Sequence, residues 1–315
     1  MVKYNFLLPA YKPDYFKLAL DSILNQTYTD FKLIILDDCS PYDIKSIVDE
    51  FNDKRIVYQR NEVNLGGNNL VDCWNKLLSL ADSEYVILAS DDDVYEYNFL
   101  EVMDGLSNKH PKADLFRARV RAIDEEGKMI EKDALYEEYV DCLDFLKQKH
   151  YNSALRCIAN YVFRLNTLRS KGGFVSFPLA WYSDDATVMM MSENGVVNTN
   201  DMLFNFRSSS VNISCRKLSH TDAYKKAMAT IFFDDWFMKH IPSMMEKHKK
   251  GKNAEYIRRI KRFVNHDHDS FMHEMFSYFS SNCTFKEFRD ILTHIDNKRK
   301  RYRLMYNYLR AQMKK

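Results

Sequence analysis

Four short polar segments each follow an apolar run. They are Pro9-Ala10-Tyr11 after Tyr4 to Leu8, Asp37-Asp38-Cys39-Ser40 after Phe31 to Leu36, Asn61 to Gly67 after Ile56 to Gln59, and Ser90-Asp91-Asp92-Asp93 after Tyr85 to Ala89. The last is the sharpest chemically. Three consecutive carboxylates repel one another unless a cation lies among them, and Mg2+ or Mn2+ takes oxygen ligands, usually one or two carboxylates plus substrate phosphates. The competing reading is a solvated turn that caps a helix beginning near Tyr95, since Asp is a favoured cap. Asp37-Asp38 divides the same way, as acceptors for a base or ribose or as caps of the next helix. Two acidic loops on strands of one sheet line one cleft, so their joint presence favours a nucleotide and metal site.

Such loops meet only if the strands are parallel neighbours, because open parallel sheets bind ligands at the carboxyl ends of their strands. Between the apolar runs lie helical patterns at Asp14 to Asn25, Tyr42 to Asn52 and Leu70 to Leu80. Continuously apolar strands alternating with helices are the pattern of a parallel sheet covered on both faces, a doubly wound α/β half. Around Leu115 to Ile123 the pattern alternates, Asp124 to Gly127 reads as a turn, and Met129-Ile130 as a return strand, so the sheet turns mixed there. Further helices are expected at Tyr139 to His150 and Asp185 to Glu193, and strands near Ala159 to Arg164 and Met202 to Phe206. From Thr221 onward Met228, Ile231, Phe232, Trp236 and Phe237 recur at helical spacing, which predicts a helical last third.

Taken in order, Pro9-Ala10-Tyr11, Leu24-Asn25-Gln26-Thr27-Tyr28, Leu36-Asp37-Asp38-Cys39-Ser40, Asn64-Leu65-Gly66 and Ser90-Asp91-Asp92-Asp93 resemble the ordered motifs of family 2 inverting glycosyltransferases with the GT-A fold. The resemblance runs from about Lys3 to Ser214. It implies an α/β, Rossmann-like GT-A fold with a mostly parallel mixed sheet. It also implies metal-dependent transfer, with inversion, of a sugar from a nucleotide-diphosphate donor to a hydroxyl acceptor. The donor is expected to be a UDP-sugar and the product a surface polysaccharide or lipid-linked glycan.

Carried over position by position, Pro9, Tyr11 and Asp38, with Asp37 beside it, contact the nucleoside, and Asn64 and Gly66 belong to the donor pocket. Asp91-Asp92-Asp93 match the DXD element, in which Asp93 holds the Mn2+ or Mg2+ that bridges the diphosphate and Asp91 faces the ribose or sugar. Gly172-Gly173-Phe174 followed by Tyr182-Ser183-Asp184-Asp185 resembles the acceptor segment, whose acid pair supplies the general base. Either Asp184 or Asp185 fills that role, since inverting transfer needs one carboxylate to deprotonate the acceptor hydroxyl. Capping of a helix over Ala186 to Met191 by Asp184 is the alternative. Asn205-Phe206-Arg207-Ser208-Ser209-Ser210 followed by Asn212-Ile213-Ser214 looks like the mobile loop, with Arg207 set to neutralise the leaving diphosphate. Ser209 stands where that loop often has His, and Asn68-Asn69 where small residues and an Arg are frequent. The first departure removes an extra metal ligand or phosphate donor that the loop would supply, and the second bears on donor choice.

With 315 residues, 46% hydrophobic and 29% charged, the chain buries a substantial core. Cys39, Cys73, Cys142, Cys157, Cys215 and Cys283 form no CxxC pair, which argues against zinc and against a disulfide framework. With no charged leader before the first strand and no long apolar run, the expectation is a cytoplasmic protein with at most peripheral membrane contact. Residues 216–315 hold 23 Lys and Arg against 11 Asp and Glu, a net +12, while the whole chain totals +2. A catalytic domain over 1–214 is therefore expected to precede a basic helical region over 215–315. Lys247 to Lys252, Arg258 to Arg262 and Lys298 to Arg303, beside Tyr302, Leu304, Met305, Tyr306 and Tyr308, fit an anionic inner membrane face where lipid-linked acceptors reside, or an ordinary solvated helix face. Asn265 to Asp269 has metal-ligand residue types but reads as a solvated helix start. A sugar nucleotidyltransferase would carry a Gly-rich loop where Pro9-Ala10-Tyr11-Lys12 stands. A nucleic-acid-binding protein would not place acids at its strand ends.

Overall fold

The computed structural model describes residues 2–151, 157–209, 217–247, 252–263, 266, 268–296 and 298–313. By its internal contacts the chain forms two compact units, Met1–Ser176 with Thr187–Cys215, and Phe177–Ala186 with Arg216–Lys315.

The first unit is built on a mixed sheet. Its strands are β1 Tyr4–Ala10, β2 Phe31–Asp37, β3 Ile56–Arg60, β4 Tyr85–Leu88, β5 Val94–Tyr95, β6 Leu115–Ile123, β7 Met129–Lys132, β8 Tyr139–Val140, β9 Tyr161–Arg164 and β10 Val196–Arg207. The order is β3-β2-β1-β4-β9-β6-β10-β5, with β7 paired to β6 and β8 to β10. β3, β2, β1 and β4 run parallel. β9 is inserted antiparallel between β4 and β6, and β10 runs parallel to β6.

The helices of this unit are α1 Phe16–Leu24, α2 Ile44–Asp49, α3 Gly66–Leu80, α4 Phe99–Lys109, α5 Cys142–Tyr151, α6 Leu165–Ser170 and, from α7 Ser183–Met191, the part that begins at Thr187. α1 buries Phe16, Ala19, Leu20, Ile23 and Leu24, a stripe at helical spacing. β4 is buried at all four positions, as a strand covered on both faces must be.

Four local readings are corrected by long-range pairing. No helix begins near Tyr95. Val94–Tyr95 instead form a short strand antiparallel to Phe204 and Asn205, and α4 starts only at Phe99 with no side-chain cap. Capping is therefore not what Asp91, Asp92 and Asp93 do. Tyr139 and Val140 pair with β10, and the following helix begins beyond them because Asp141 accepts the backbone N–H groups of Leu143 and Asp144, each at 3.0 Å. α7 begins at Ser183, which puts Asp184 and Asp185 inside its first turn, where the helix dipole favours acids. α3 already begins at Gly66, within the segment read as a loop.

The second unit contains α8 His220–Lys247, α9 Ala254–Arg262, α10 His268–Ser280, α11 Phe285–Thr293 and α12 Lys298–Gln312. Ala223, Ala227, Ile231, Phe276, Phe288, Ile291, Leu304 and Tyr308 make its core. α11 starts with a capping box: Thr284 Oγ1 accepts the Glu287 N–H at 3.3 Å, and Glu287 accepts the Thr284 N–H at 2.7 Å. His268 is not solvated as its neighbours suggested. It is 1% exposed, its Nε2 lies 3.0 Å from Asp234, and its ring stacks on Phe237 at 3.6 Å. Asn265 and Asp267 lie outside the described residues, as do Ser210, Asn212, Ile213 and Ser214 of the expected mobile loop. Among the described residues no helix is long and apolar enough to cross a membrane.

Candidate active site

The parallel register puts the ends of β2, β1 and β4 side by side: Ala10 is level with Asp37, and Leu7 with Leu88. Hydrogen bonds then tie the loops into one rim. Ser40 Oγ donates to the Tyr11 carbonyl at 2.7 Å, joining the second loop to the first. Asp91 accepts the backbone N–H groups of Tyr11 at 3.3 Å and Lys12 at 3.1 Å, joining the fourth loop to the first. Asp38 accepts Asn61 Nδ2 at 2.6 Å and the N–H groups of Leu65 at 2.9 Å and Gly66 at 2.7 Å, joining the third loop to the second. All four polar segments singled out in the sequence thus meet.

The two acids after β2 are placed differently. Asp37 is fully buried, and both its oxygens are engaged, by the Ser40 N–H at 2.8 Å, the Tyr58 hydroxyl at 2.6 Å and the Arg60 guanidinium. These bonds tie the end of β2 to its own loop and to β3. Asp38, 4% exposed, takes two hydrogen bonds on one oxygen and one on the other, all from the third loop, so it ties that loop to the end of β2. Gly66 allows this approach: a Cβ there would stand 2.9 Å from the Asp38 oxygen. Asn64 caps the same turn through the Gly67 N–H, Pro9 is partly exposed, and the Tyr11 ring is 39% exposed at the rim.

Around the third acid the packing is tight. Asp93 is 2% exposed, and one oxygen accepts the Arg207 N–H at 2.8 Å. Burial, then the Asp92 charge, pushes the Asp91 carboxyl up to about 6. Asp93 is held well above the ordinary carboxylate range by the same two causes, and Asp92 is raised by burial. A divalent cation reverses that balance, because it favours the charged form of every acid it faces. Among the described residues no three His, Cys, Asp or Glu side chains converge as a self-contained ligand set. A cation held at Asp93 would therefore have to take further ligands from outside the chain.

Arg207 is engaged with the loops around it. Its side chain is 4% exposed, with Nε donating to the Asp92 carbonyl at 3.0 Å and one terminal nitrogen to the carbonyls of Asp124 at 3.1 Å and Glu125 at 3.0 Å. Its guanidinium also stacks 4.4 Å above the Tyr15 ring. Arg207 clamps the acidic loop to the β6–β7 turn. Ser209 is likewise buried. Two positioning residues escaped the sequence reading. Tyr95 anchors the loop from below, its hydroxyl donating to the Ala159 carbonyl at 2.8 Å and its ring packing on Phe99 and Phe204. Arg60 holds Asp37, and no local signal marked either.

Asp184 and Asp185 belong to the second unit. The backbone leading to them is strained, with Leu179, Ala180 and Tyr182 at φ of 58°, 54° and 67°. Non-glycine residues adopt such angles at a cost of about 1 kcal/mol or more each and persist only where packing holds them. Here Tyr182 stacks on Phe233 at 4.8 Å, Trp181 packs edge-on against Phe279, Lys226 Nζ lies 3.8 Å from the Trp181 ring centre, and Ser183 Oγ accepts the Phe177 N–H at 3.0 Å.

A Rossmann-like mixed sheet thus gathers acidic loops at the carboxyl ends of its parallel strands, an architecture shared by a known family of transferases. Residues 6–186 match the model of Glycosyl transferase family 2, more than half of the chain, and the chain belongs to that family. It is 33% identical over 108 residues to the putative colanic acid biosynthesis glycosyl transferase WcaA of Escherichia coli (strain K12), covering 32% of this chain and 38% of that one. It is 27% identical over 107 residues to the UDP-Glc:alpha-D-GlcNAc-diphosphoundecaprenol beta-1,3-glucosyltransferase WfgD of Escherichia coli, covering 34% and 41%. The chain thus spans about two-fifths of the length of these relatives. Among solved structures, TarS 1-349 of S. aureus in complex with UDP-GlcNAc superposes with a TM-score of 0.63 at 16% identity, over 98% of this chain and 88% of that one. The mannosyltransferase PcManGT of Pyrobaculum calidifontis, in complex with GDP-Man and Mn2+, gives 0.53 at 14%, over 93% and 74%. At these identities the likeness establishes the fold.

Proposed function

We propose that the chain is a metal-dependent inverting glycosyltransferase that moves a sugar from a nucleoside-diphosphate donor to a hydroxyl of a polysaccharide or lipid-linked glycan. The observation that carries this reading is the acidic loop after β4, wired to the loop after β1 through Asp91 and to β10 through Asp93. In it Pro9, Tyr11, Asp38, Asn64 and Gly66 form the nucleoside side of the pocket, with the exposed Tyr11 ring offering a face for the base. Asp93 holds Mn2+ or Mg2+, which when bound offsets the charge of the diphosphate. Asp91 and Asp92 complete the rim that faces the ribose and sugar.

Asp184 or Asp185 takes the proton of the acceptor hydroxyl as its oxygen bonds to the anomeric carbon. The bond from that carbon to the diphosphate breaks on the opposite face, so the configuration inverts. The chain contributes orientation and preorganised charge. A UDP-sugar is the favoured donor, in line with the UDP-GlcNAc and UDP-Glc named for TarS and WfgD. Residues 1–214 form the catalytic part in this reading, and 215–315 a basic accessory region. The site of action is the cytoplasmic face of a membrane that presents the lipid-linked acceptor.

The test is thermal stabilisation and slow hydrolysis across UDP-, dTDP- and GDP-sugars, with Mn2+ and with EDTA. UDP with Mn2+ should raise the midpoint and EDTA should reverse it. A chain indifferent to every nucleotide refutes the reading.

A further inference from the structure

α12 carries two apolar faces. Leu304 and Tyr308 are 2% and 5% exposed and belong to the core of the second unit. Tyr308 stacks on Phe288 at 3.9 Å, and its hydroxyl donates to the Cys283 carbonyl at 3.2 Å. Tyr302, Met305, Tyr306 and Leu309 follow one another at i, i+3, i+4 and i+7 and so share a different face. There they are 75%, 41%, 64% and 49% exposed.

A helix at the surface of a globular unit ordinarily needs one apolar stripe, and it turns polar residues outward. A second stripe, aligned and exposed, marks a contact surface. Its charge says which kind. From Lys298 to Lys315 there are eight Lys or Arg and no Asp or Glu. Exposed Lys298 and Arg303 sit on the same helix, the latter 3.5 Å from Asp269.

We propose that this outer face of α12 docks on an anionic lipid bilayer. Tyr302, Met305, Tyr306 and Leu309 lie at the boundary between headgroups and acyl chains, where amphipathic tyrosines are at home, and the positive charge of the segment, exposed Lys298 included, attracts lipid phosphates. A second copy of the chain is the poorer occupant, because pairing the face with itself opposes two strongly positive segments. The inference supplies a place for the lipid-linked acceptor of the reading above, but vesicle binding is measured with neither donor nor acceptor. The failure of one is therefore separable from the failure of the other.

The full chain is sedimented with vesicles of phosphatidylcholine alone and of phosphatidylcholine with phosphatidylglycerol. Binding is expected to the anionic vesicles only, weakening as salt rises. Replacing Tyr302, Tyr306 and Leu309 together by Ser should lower vesicle affinity by about tenfold or more while leaving the unfolding midpoint unchanged, since all three side chains are exposed. A Tyr306→Trp variant should show a blue-shifted emission on anionic vesicles. Equal recovery with neutral and anionic vesicles overturns the proposal, as does wild-type binding by the triple Ser variant. An oligomer that the triple Ser variant dissociates, in a chain that ignores vesicles, assigns the face to self-association instead.

Discussion

The backbone N–H of Arg207 donates to Asp93 at 2.8 Å across 114 residues of sequence. The bond joins the last residue of β10 to the acidic loop after β4, and the side chain of the same arginine holds the Asp92 carbonyl. The position of the proposed metal ligand is thus set from the far half of the chain, and the guanidinium frames the loop that carries it.

Asp93→Asn should lower transfer by about a hundredfold or more and remove the Mn2+-dependent thermal shift with it. Burial holds the Asp93 carboxyl above its ordinary range, so its charged form costs stability at neutral pH. The neutral amide relieves that cost, and the metal-free variant should melt no lower than wild type. Full activity in this variant overturns the assignment.

Arg207→Ala strips the loop of three charge-assisted hydrogen bonds to carbonyls, and a loss of about 2 to 4 kcal/mol in urea unfolding is expected. Arg207→Lys keeps the charge without the fork that spans those carbonyls and should recover only part of it. Mn2+ affinity should fall in both variants. A lysine variant equal to wild type would show that charge alone suffices.

Asp37 and Asp38 should separate in their effects. Asp37→Asn weakens the link to Arg60 and Tyr58 in a fully buried setting, so unfolding free energy should drop by about 1 to 3 kcal/mol. UDP affinity should change little. Asp38→Asn turns an amide N–H toward the Asn61 amide donor or the Leu65 and Gly66 backbone donors, and calorimetry should register at least about tenfold weaker UDP binding. Equal losses of UDP affinity from both changes would contradict the division of labour.

Asp184→Asn and Asp185→Asn should differ sharply. The one that removes the general base lowers kcat by about a hundredfold to ten-thousandfold with donor affinity intact, and it abolishes the acidic limb of the pH profile. Two variants that retain wild-type kcat would move the base elsewhere.

The order of strands and helices was legible because it is written in short-range periodicity. Tyr4 to Leu8, Phe31 to Leu36 and Tyr85 to Ala89 are apolar without alternation, and α1 repeats its buried residues every three or four positions. The polar segment after each such run was visible for the same reason, and parallel packing alone suffices to gather those segments. Tertiary structure decided everything that depends on partners remote in sequence. Nothing near Tyr95 announces a two-residue strand, since its partners are Phe204 and Asn205. Nothing in Asp37-Asp38 says which partners each acid meets, because Tyr58 and Arg60 reach Asp37 from β3 while Asn61, Leu65 and Gly66 reach Asp38 from the loop beyond it. The outer stripe of α12 is similar: tyrosines at helical spacing look like core until Phe288 and Cys283 claim Tyr308 and leave Tyr302 and Tyr306 outside. Periodicity records which residues share a face of an element, and only the neighbours packed against that face determine whether it meets protein, ligand or water.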